Sequence, residues 1–296
     1  MNPLHILAVD QRGWLLEALY GPGASVTDER RDVLGQIKLM VAEGAAAAAG
    51  NGAPGEIGLL VDELYGARAA RFAKESGLTL AMPVEKANQE VLTPEFGTDW
   101  VSHLDDFGPA LPKLLIWHNV ETDRAALDRQ LERLTEISGR LNADGRPVML
   151  EILAFPTEAQ LARYGDRHRF DREALPELTL AAIEEVHSTG VTVDVWKLEG
   201  MPDVPTFRRV REKAGSRCLV LGRNAAQEQV DRWMTEAAAA GFEGFAIGRS
   251  VWWEAVRSWV DGALSREAVV ETIAQNYAHC CQVFGSAYAS SPATPR

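Results

Sequence analysis

Eight short apolar runs, each about the length of a β-strand, recur along the chain: Leu4–Val9, Ile57–Val61, Leu78–Val84, Lys113–Trp117, Val148–Leu153, Val193–Leu198, Cys218–Leu221 and Gly244–Ile247. Their near-continuous hydrophobicity is the pattern of strands buried on both faces, as in a parallel sheet covered by helices. Between them lie segments of helical spacing. In Asp123–Leu141, Leu127, Leu131, Leu134 and Ile137 recur every three or four residues opposite charged positions, a stripe that packs on a sheet. Glu29–Ala49, Gly66–Ser76, Glu173–Thr189, Val204–Ala214, Gln227–Ala240 and Arg266–Phe284 are further helical segments. This alternation, uninterrupted by a long polar or Pro/Gly/Ser-rich linker, predicts an α/β fold closed as a single (β/α)8 TIM barrel over residues 1–289, with 290–296 as a disordered tail.

Composition narrows the partners. A chain of 296 residues with 46% hydrophobic and 24% charged side chains is an ordinary globular protein, able to bury one large core. A net charge of -12 and a pI near 5.1 argue against a nucleic-acid partner, so an anionic ligand must find a local basic pocket. Cys218, Cys280 and Cys281 cannot pair evenly and form no CxxC motif, which fits a reducing cytoplasm. The start enters an apolar run without a basic region, and no apolar stretch approaches the ~20 residues that span a bilayer, so neither an export signal nor a membrane segment is expected. The histidines lack H-x-H or H-E-x-x-H spacing, and no metal site is expected. Trp252, Trp253 and Trp259 read as core or subunit-contact residues, which leaves a homo-oligomer open.

In a barrel of this kind the reactive groups sit at the C-terminal ends of the strands. Here those ends carry Asp10-Gln11-Arg12, Asp62-Glu63, Glu85-Lys86, Lys113 and His118, Glu151, Lys197 and Glu199, Gly222-Arg223, and Gly248-Arg249-Ser250. Lys197 shares a strand face with Val193 and Val195, and an ammonium facing a barrel interior is costly to desolvate. Desolvation, with a second cation such as Lys113 nearby, lowers the amine pKa as a Schiff-base nucleophile requires; a lysine snorkelling outward or paired with Glu199 is the alternative. Glu151 lies in Val-Met-Leu-Glu-Ile-Leu, where burial would raise its pKa and suit it to proton shuttling, unless it serves only as an ion-pair partner of a lysine. Asp10 and Asp62 end strands and can act as helix N-caps, the preferred reading for Asp62. Leu-Gly-Arg-Asn-Ala and Ile-Gly-Arg-Ser-Val each precede helical sequence, and a glycine with an arginine at a helix N-terminus makes a phosphate cradle; ordinary turns are the alternative.

These residues resemble the class I aldolases, whose barrels carry an Asp on strand 1, a Lys on strand 4, a Glu on strand 5, the Schiff-base Lys on strand 6 and a phosphate-binding Arg on strand 8. Asp10, Lys113, Glu151, Lys197 and Arg249 match in that order. Leu-Ala-Val-Asp-Gln-Arg, Met-Pro-Val-Glu-Lys, Leu-Glu-Ile-Leu, Trp-Lys-Leu-Glu-Gly-Met, Val-Leu-Gly-Arg-Asn-Ala and Gly-Phe-Ala-Ile-Gly-Arg-Ser are similar to one bacterial branch nearly end to end. That branch holds tagatose 1,6-bisphosphate aldolase and the 5-dehydro-2-deoxyphosphogluconate aldolase domain fused to a sugar kinase in inositol-catabolism proteins. Two departures bear on substrate: the kinase portion has no counterpart in these 296 residues, and Arg223-Asn224 stands where the fused domains usually have an apolar residue and an Asp.

The resemblance implies a lyase acting on a small sugar phosphate without cofactor or metal. Lys197 would form the Schiff base, Glu151 would be the acid/base, Lys113 would hold charge, Asp10 would orient a hydroxyl, and Gly222, Gly248 and Arg249 would hold phosphate. Ser250, Arg223, Gln11, Arg12, Glu85, His118 and Glu199 complete the expected binding set. The implied substrate, 5-dehydro-2-deoxy-gluconate 6-phosphate, yields dihydroxyacetone phosphate and malonate semialdehyde, whose carboxylate Arg12 or Arg223 would pair with. Tagatose- or sulfofructose-phosphate cleavage is the nearest alternative. A phosphosugar isomerase would leave Lys197 unexplained, and a sugar-phosphate sensor would need a broken catalytic set.

Overall fold

In a computed structural model describing residues 2–291, eight parallel strands close into one barrel in chain order. They are β1 (Leu4–Ala8), β2 (Glu56–Leu60), β3 (Thr79–Pro83), β4 (Leu111–Trp117), β5 (Met149–Leu153), β6 (Val195–Leu198), β7 (Arg217–Leu221) and β8 (Gly244–Ile247), with β8 pairing back onto β1. The helices are α1 (Gly13–Tyr20), α2 (Asp28–Gly50), α3 (Glu63–Glu75), α4 (Trp100–Phe107), α5 (Arg124–Ala143), α6 (Glu158–Tyr164), α7 (Arg167–Glu173), α8 (Leu175–Ser188), α9 (Val204–Ala214), α10 (Gln227–Ala239), α11 (Arg249–Val260) and α12 (Arg266–Ser290). The expected (β/α)8 TIM barrel is the fold.

Strand alternation sorts the side chains. Leu4, Ile6 and Ala8 of β1, with Leu60, Ala81, Leu111, Met149, Val195, Leu219 and Ala246, point inward and fill the barrel as an apolar plug. Their strand neighbours, among them Leu7, Leu114, Leu150, Trp196 and Phe245, point outward into the larger core under the helices. One step further along β4, β5 and β6, the inward positions hold Lys113, Glu151 and Lys197. The polar layer therefore rests on a dry floor.

The strands fall where the apolar runs place them, with β4 opening two residues early at Leu111 and β6 starting late at Val195. The β5–β6 connection differs more: α6 and α7 precede α8 where one helix was expected. Each spans seven residues, too short for a 3.6-residue period to declare itself. Of the expected tail, Ser290 closes α12 and residues 292–296 lie outside the described ones.

Candidate active site

Lys113, Glu151 and Lys197 come from adjacent strands. Glu151 pairs in register with Lys197, and its Oε2 lies 2.8 Å from Lys197 Nζ and 2.9 Å from Lys113 Nζ. Sharing one oxygen brings the two ammonium groups together over a single carboxylate. Lys113 also donates to Asp10 Oδ2 at 3.2 Å and Glu85 Oε1 at 2.9 Å. All five side chains are buried or nearly so.

Burial would push the Lys113 ammonium down, but Glu151, Glu85 and Asp10 outweigh it and hold its pKa well above the ordinary value. Burial would likewise raise Glu151, yet Lys113 and Lys197 outweigh it, and the carboxyl lies below its usual range. This corrects the expectation of a raised Glu151: two cations on one carboxylate defeat desolvation, so the group rests ionised. Asp10 is depressed for the same reason, with burial opposed by Lys113 and Lys197. Glu85 goes the other way, its burial prevailing over Lys113 and Arg12, and its Oε2 has no hydrogen-bond partner.

Two cavities open onto these groups. One of about 370 Å³ is lined by Asp10, Gln11, Arg12, Glu85, Lys113 and Lys197. Another of about 380 Å³ is lined by Gln11, Lys197, Gly222, Arg223, Gly248 and Arg249, and Glu151 borders both. The buried Gln11 Oε1 makes no hydrogen bond and stands between them. Arg249 lies over the Trp14 ring at 4.5 Å, and burial pushes its guanidinium pKa down against a weaker opposing pull from Asp10.

The two Gly-Arg turns are not equivalent. After β8 the helix begins at once: Gly248 precedes α11, whose first turn has no side-chain cap, as an anion-binding helix N-terminus requires. After β7, α10 starts only at Gln227, and Arg223 and Asn224 both take left-handed backbone, φ 45° and 58°. The expected pair of helix N-termini is thus one N-terminus and one irregular turn. Ser250 sits in the first turn of α11 but borders neither cavity.

Three other expected site residues are placed differently. His118 follows Lys113, Leu115 and Trp117 out of inward phase, so its ring turns to the helices and meets Glu185 of α8 at 2.8 Å. Arg12 is engaged by Glu95 at 2.5 Å and by the Glu85 carbonyl at 2.7 Å, which removes it as a ready partner for a ligand carboxylate. Glu199 caps neither lysine: it accepts from the Ala154 amide at 3.0 Å and from Arg223 at 2.7 Å. Asp62 accepts from Tyr65 N at 3.0 Å as the N-cap of α3. Trp252 donates to the Ala8 carbonyl at 3.0 Å from within the core.

Two site-building residues were missed. Lys38 of α2 is fully buried and donates to the Val9 carbonyl, the Gln11 carbonyl at 3.0 Å and Asp62, clamping the chain on either side of Asp10. Arg167 of α7 reaches the cavity around Lys197 from outside the barrel. Neither stands at a strand end, so only tertiary packing reveals them.

The profile of the family described as "Uncharacterized protein conserved in bacteria (DUF2090)" matches residues 1–287. The chain belongs to that family. No curated protein matches the chain. Among solved structures it is similar to an archaeal fructose 1,6-bisphosphate aldolase, at 16% identity and TM-score 0.56 over 94% of each chain. It is also similar to a structural-genomics target from Corynebacterium glutamicum (Brevibacterium flavum), at 15% identity and TM-score 0.59 over 95% of this chain and 85% of the other. Plasmodium falciparum fructose-bisphosphate aldolase, solved with TRAP and a small-molecule inhibitor, gives 11% identity and TM-score 0.69 over 98% and 91%. At these identities the likeness establishes a shared fold.

Proposed function

We propose that this protein is a class I aldolase in which Lys197 condenses with the ketone of a phosphorylated ketose or keto acid, and the iminium is the electron sink for carbon–carbon cleavage. The observation that carries this reading is the single Glu151 oxygen shared by Lys197 at 2.8 Å and Lys113 at 2.9 Å, at the base of a cavity rimmed by Gly248 and Arg249. Ionised Glu151 takes a proton from the Lys197 ammonium and frees the lone pair for attack. Returning that proton to the carbinolamine hydroxyl expels water and leaves the iminium. Lys113 stays charged throughout and holds Glu151 and Asp10 in place. Loss of the proton on the hydroxyl β to the iminium carbon breaks the carbon–carbon bond, the aldehyde leaves, and the electron pair moves to nitrogen as an enamine. Protonation at carbon and hydrolysis release the ketone.

The fold shared with two fructose-bisphosphate aldolases supports the reaction class. The Trp-Lys-Leu-Glu and Gly-Phe-Ala-Ile-Gly-Arg segments support 5-dehydro-2-deoxy-gluconate 6-phosphate as substrate and dihydroxyacetone phosphate as the ketone product. The isomerase reading leaves the Lys197–Glu151 pair without a task. Borohydride added with dihydroxyacetone phosphate should inactivate the enzyme irreversibly and leave a reduced triose-phosphate adduct on the peptide containing Lys197. An adduct on another lysine, or none, would overturn the mechanism.

A further inference from the structure

Beyond the charged layer of Lys113, Glu151 and Lys197, the inward positions of β4 and β5 change character. Along β4 they are Leu115 and Trp117, and along β5 they are Leu153 and, just past its end, Phe155. Leu115 pairs in register with Glu151 and Trp117 with Leu153, so this apolar face begins at the level of the proposed acid/base. It advances about 6–7 Å with every two residues. All four side chains border the same cavity as Lys197.

Two features single out this face. Trp117 and Phe155 are 38% and 44% exposed, and among the described residues they are the only large aromatic side chains so open to solvent. Their rings meet edge to face at 5.7 Å, and such apolar area at the mouth of a reactive cavity is area that a ligand can cover. The second feature is position. In a closed ring of eight strands β4 is four strands from β8 and β5 four from β1, so the face stands across the barrel from Gly248 and Arg249. Lys197, on β6, lies between them. Cations occur only at the edges of the face: Arg167, 5.8 Å from the Phe155 ring centroid, and Lys86, in the loop after β3.

We propose that Leu115, Leu153, Trp117 and Phe155 form an apolar acceptor wall that binds the carbon chain of the aldehyde half, so that the enzyme takes aldehydes with a hydrocarbon body longer than that of malonate semialdehyde. This rests on the aldolase reading above and goes beyond the substrate named there. A ketone held at Lys197 with its phosphate at Gly248 and Arg249 has its remaining carbons on the far side of the barrel. There the leucines meet the first added carbons and the aromatic rings the next. Hydroxyl groups on that chain lose water against side chains that offer one donor, the Trp117 indole N–H, and no acceptor.

The test runs the enzyme in the condensing direction. The enamine carbon of dihydroxyacetone phosphate attacks the aldehyde carbonyl carbon, whose oxygen takes up the proton released when the enamine formed, and hydrolysis frees Lys197. With propanal, butanal, pentanal and hexanal, kcat/KM of wild type should rise about three- to fourfold per methylene, the scale of burying one such group. Pentanal should exceed glyceraldehyde, which has the same number of heavy atoms, by about tenfold or more. Trp117→Ala and Phe155→Ala should each cut the advantage of hexanal over propanal by about tenfold, and the exposure of both side chains keeps the variants folded. A flat series in wild type, or a series unchanged in both variants, overturns the wall. Glyceraldehyde matching pentanal overturns its apolar class. A wild-type dimer that Phe155→Ala dissociates in sedimentation would assign the face to a second copy and overturn the proposal too. Borohydride trapping of dihydroxyacetone phosphate on Lys197 of wild type is read in parallel: its failure strikes the aldolase reading, whereas intact trapping with a flat series strikes only the wall.

Discussion

At the scale of single residues the site is a problem in burying charge. Lys113 has almost no exposure and three carboxylates around it, Asp10, Glu85 and Glu151. Removing one member of such a cluster leaves uncompensated buried charge, which costs about 3–5 kcal/mol. Lys113→Met should therefore lower the urea midpoint strongly at pH 7. The sign of the pH dependence follows from the shifts. Asp10 and Glu151 are depressed in the folded protein, so their stabilising contribution is present above the ordinary carboxylate range, near ~4, and is lost as the pH falls through the folded values. Lys113 is raised, so its contribution is present below the ordinary lysine range, near ~10, and is lost as the pH rises through the folded value. The deficit of the variant should be largest between those limits and should narrow on acidification, with Glu85, which burial pushes up, the first of the three carboxyls to take a proton. A deficit in the urea midpoint that stays constant from pH 7 to pH 3 would contradict this account. Lys197, Glu151 and Lys113 were legible in the sequence because a charge inside an apolar strand run is conspicuous. The direction of the Glu151 shift was not, since it depends on two lysines meeting one oxygen.

Among the elements, the β8–α11 junction shows how the backbone places the phosphate end of the site. A Cβ at Gly248 would lie 2.4 Å from the Ala8 carbonyl oxygen, the same atom that accepts from Trp252 Nε1 at 3.0 Å. Glycine lets α11 start against the end of β1 and brings Arg249 over Trp14. Gly248→Ala must push α11 outward, so stability should fall by the 1–3 kcal/mol typical of overpacking, and KM for the phosphorylated substrate should rise more than kcat falls. Steady-state kinetics beside a urea titration would check both, and an unchanged KM in a folded variant would remove α11 from the phosphate site. Elements of this length were readable from sequence: each strand needs an unbroken apolar run to be buried on both faces, and α5 shows its stripe over five turns. The α6–α7 insertion was not. The seven residues of α7 hold a single apolar side chain, Phe170, too few to define a period, and α7 supplies Arg167 and Asp171 through contacts with Glu199 and Arg223, 32 and 52 positions away. His118 was misassigned for a related reason, since strand-end position alone does not give the inward or outward phase.

As a whole molecule the chain is one closed barrel, and its last long helix is part of the closure: Tyr277 of α12 donates to the His5 carbonyl of β1 at 2.5 Å. With first and last elements joined, unfolding should be one cooperative event, and any ligand that binds only the folded state should raise its midpoint by mass action. Dihydroxyacetone phosphate at a hundredfold excess over its Kd stabilises by about 2.7 kcal/mol. For a chain of 296 residues, with an unfolding entropy of about 2 cal/mol/K per residue, this corresponds to a rise of about 4 °C. The rise combines two terms, a phosphate held at Gly248 and Arg249 and a carbonyl captured reversibly by Lys197. Lys197→Met loses the second and keeps the first, so it should still respond to dihydroxyacetone phosphate, but with a smaller shift at the same ligand concentration. Inorganic phosphate should give wild type and variant equal shifts. Calorimetric scans of both proteins with each ligand would check this. A full-sized response of Lys197→Met to dihydroxyacetone phosphate would mean that the ketone is bound without being captured, and the nucleophile would have to be sought elsewhere in the barrel.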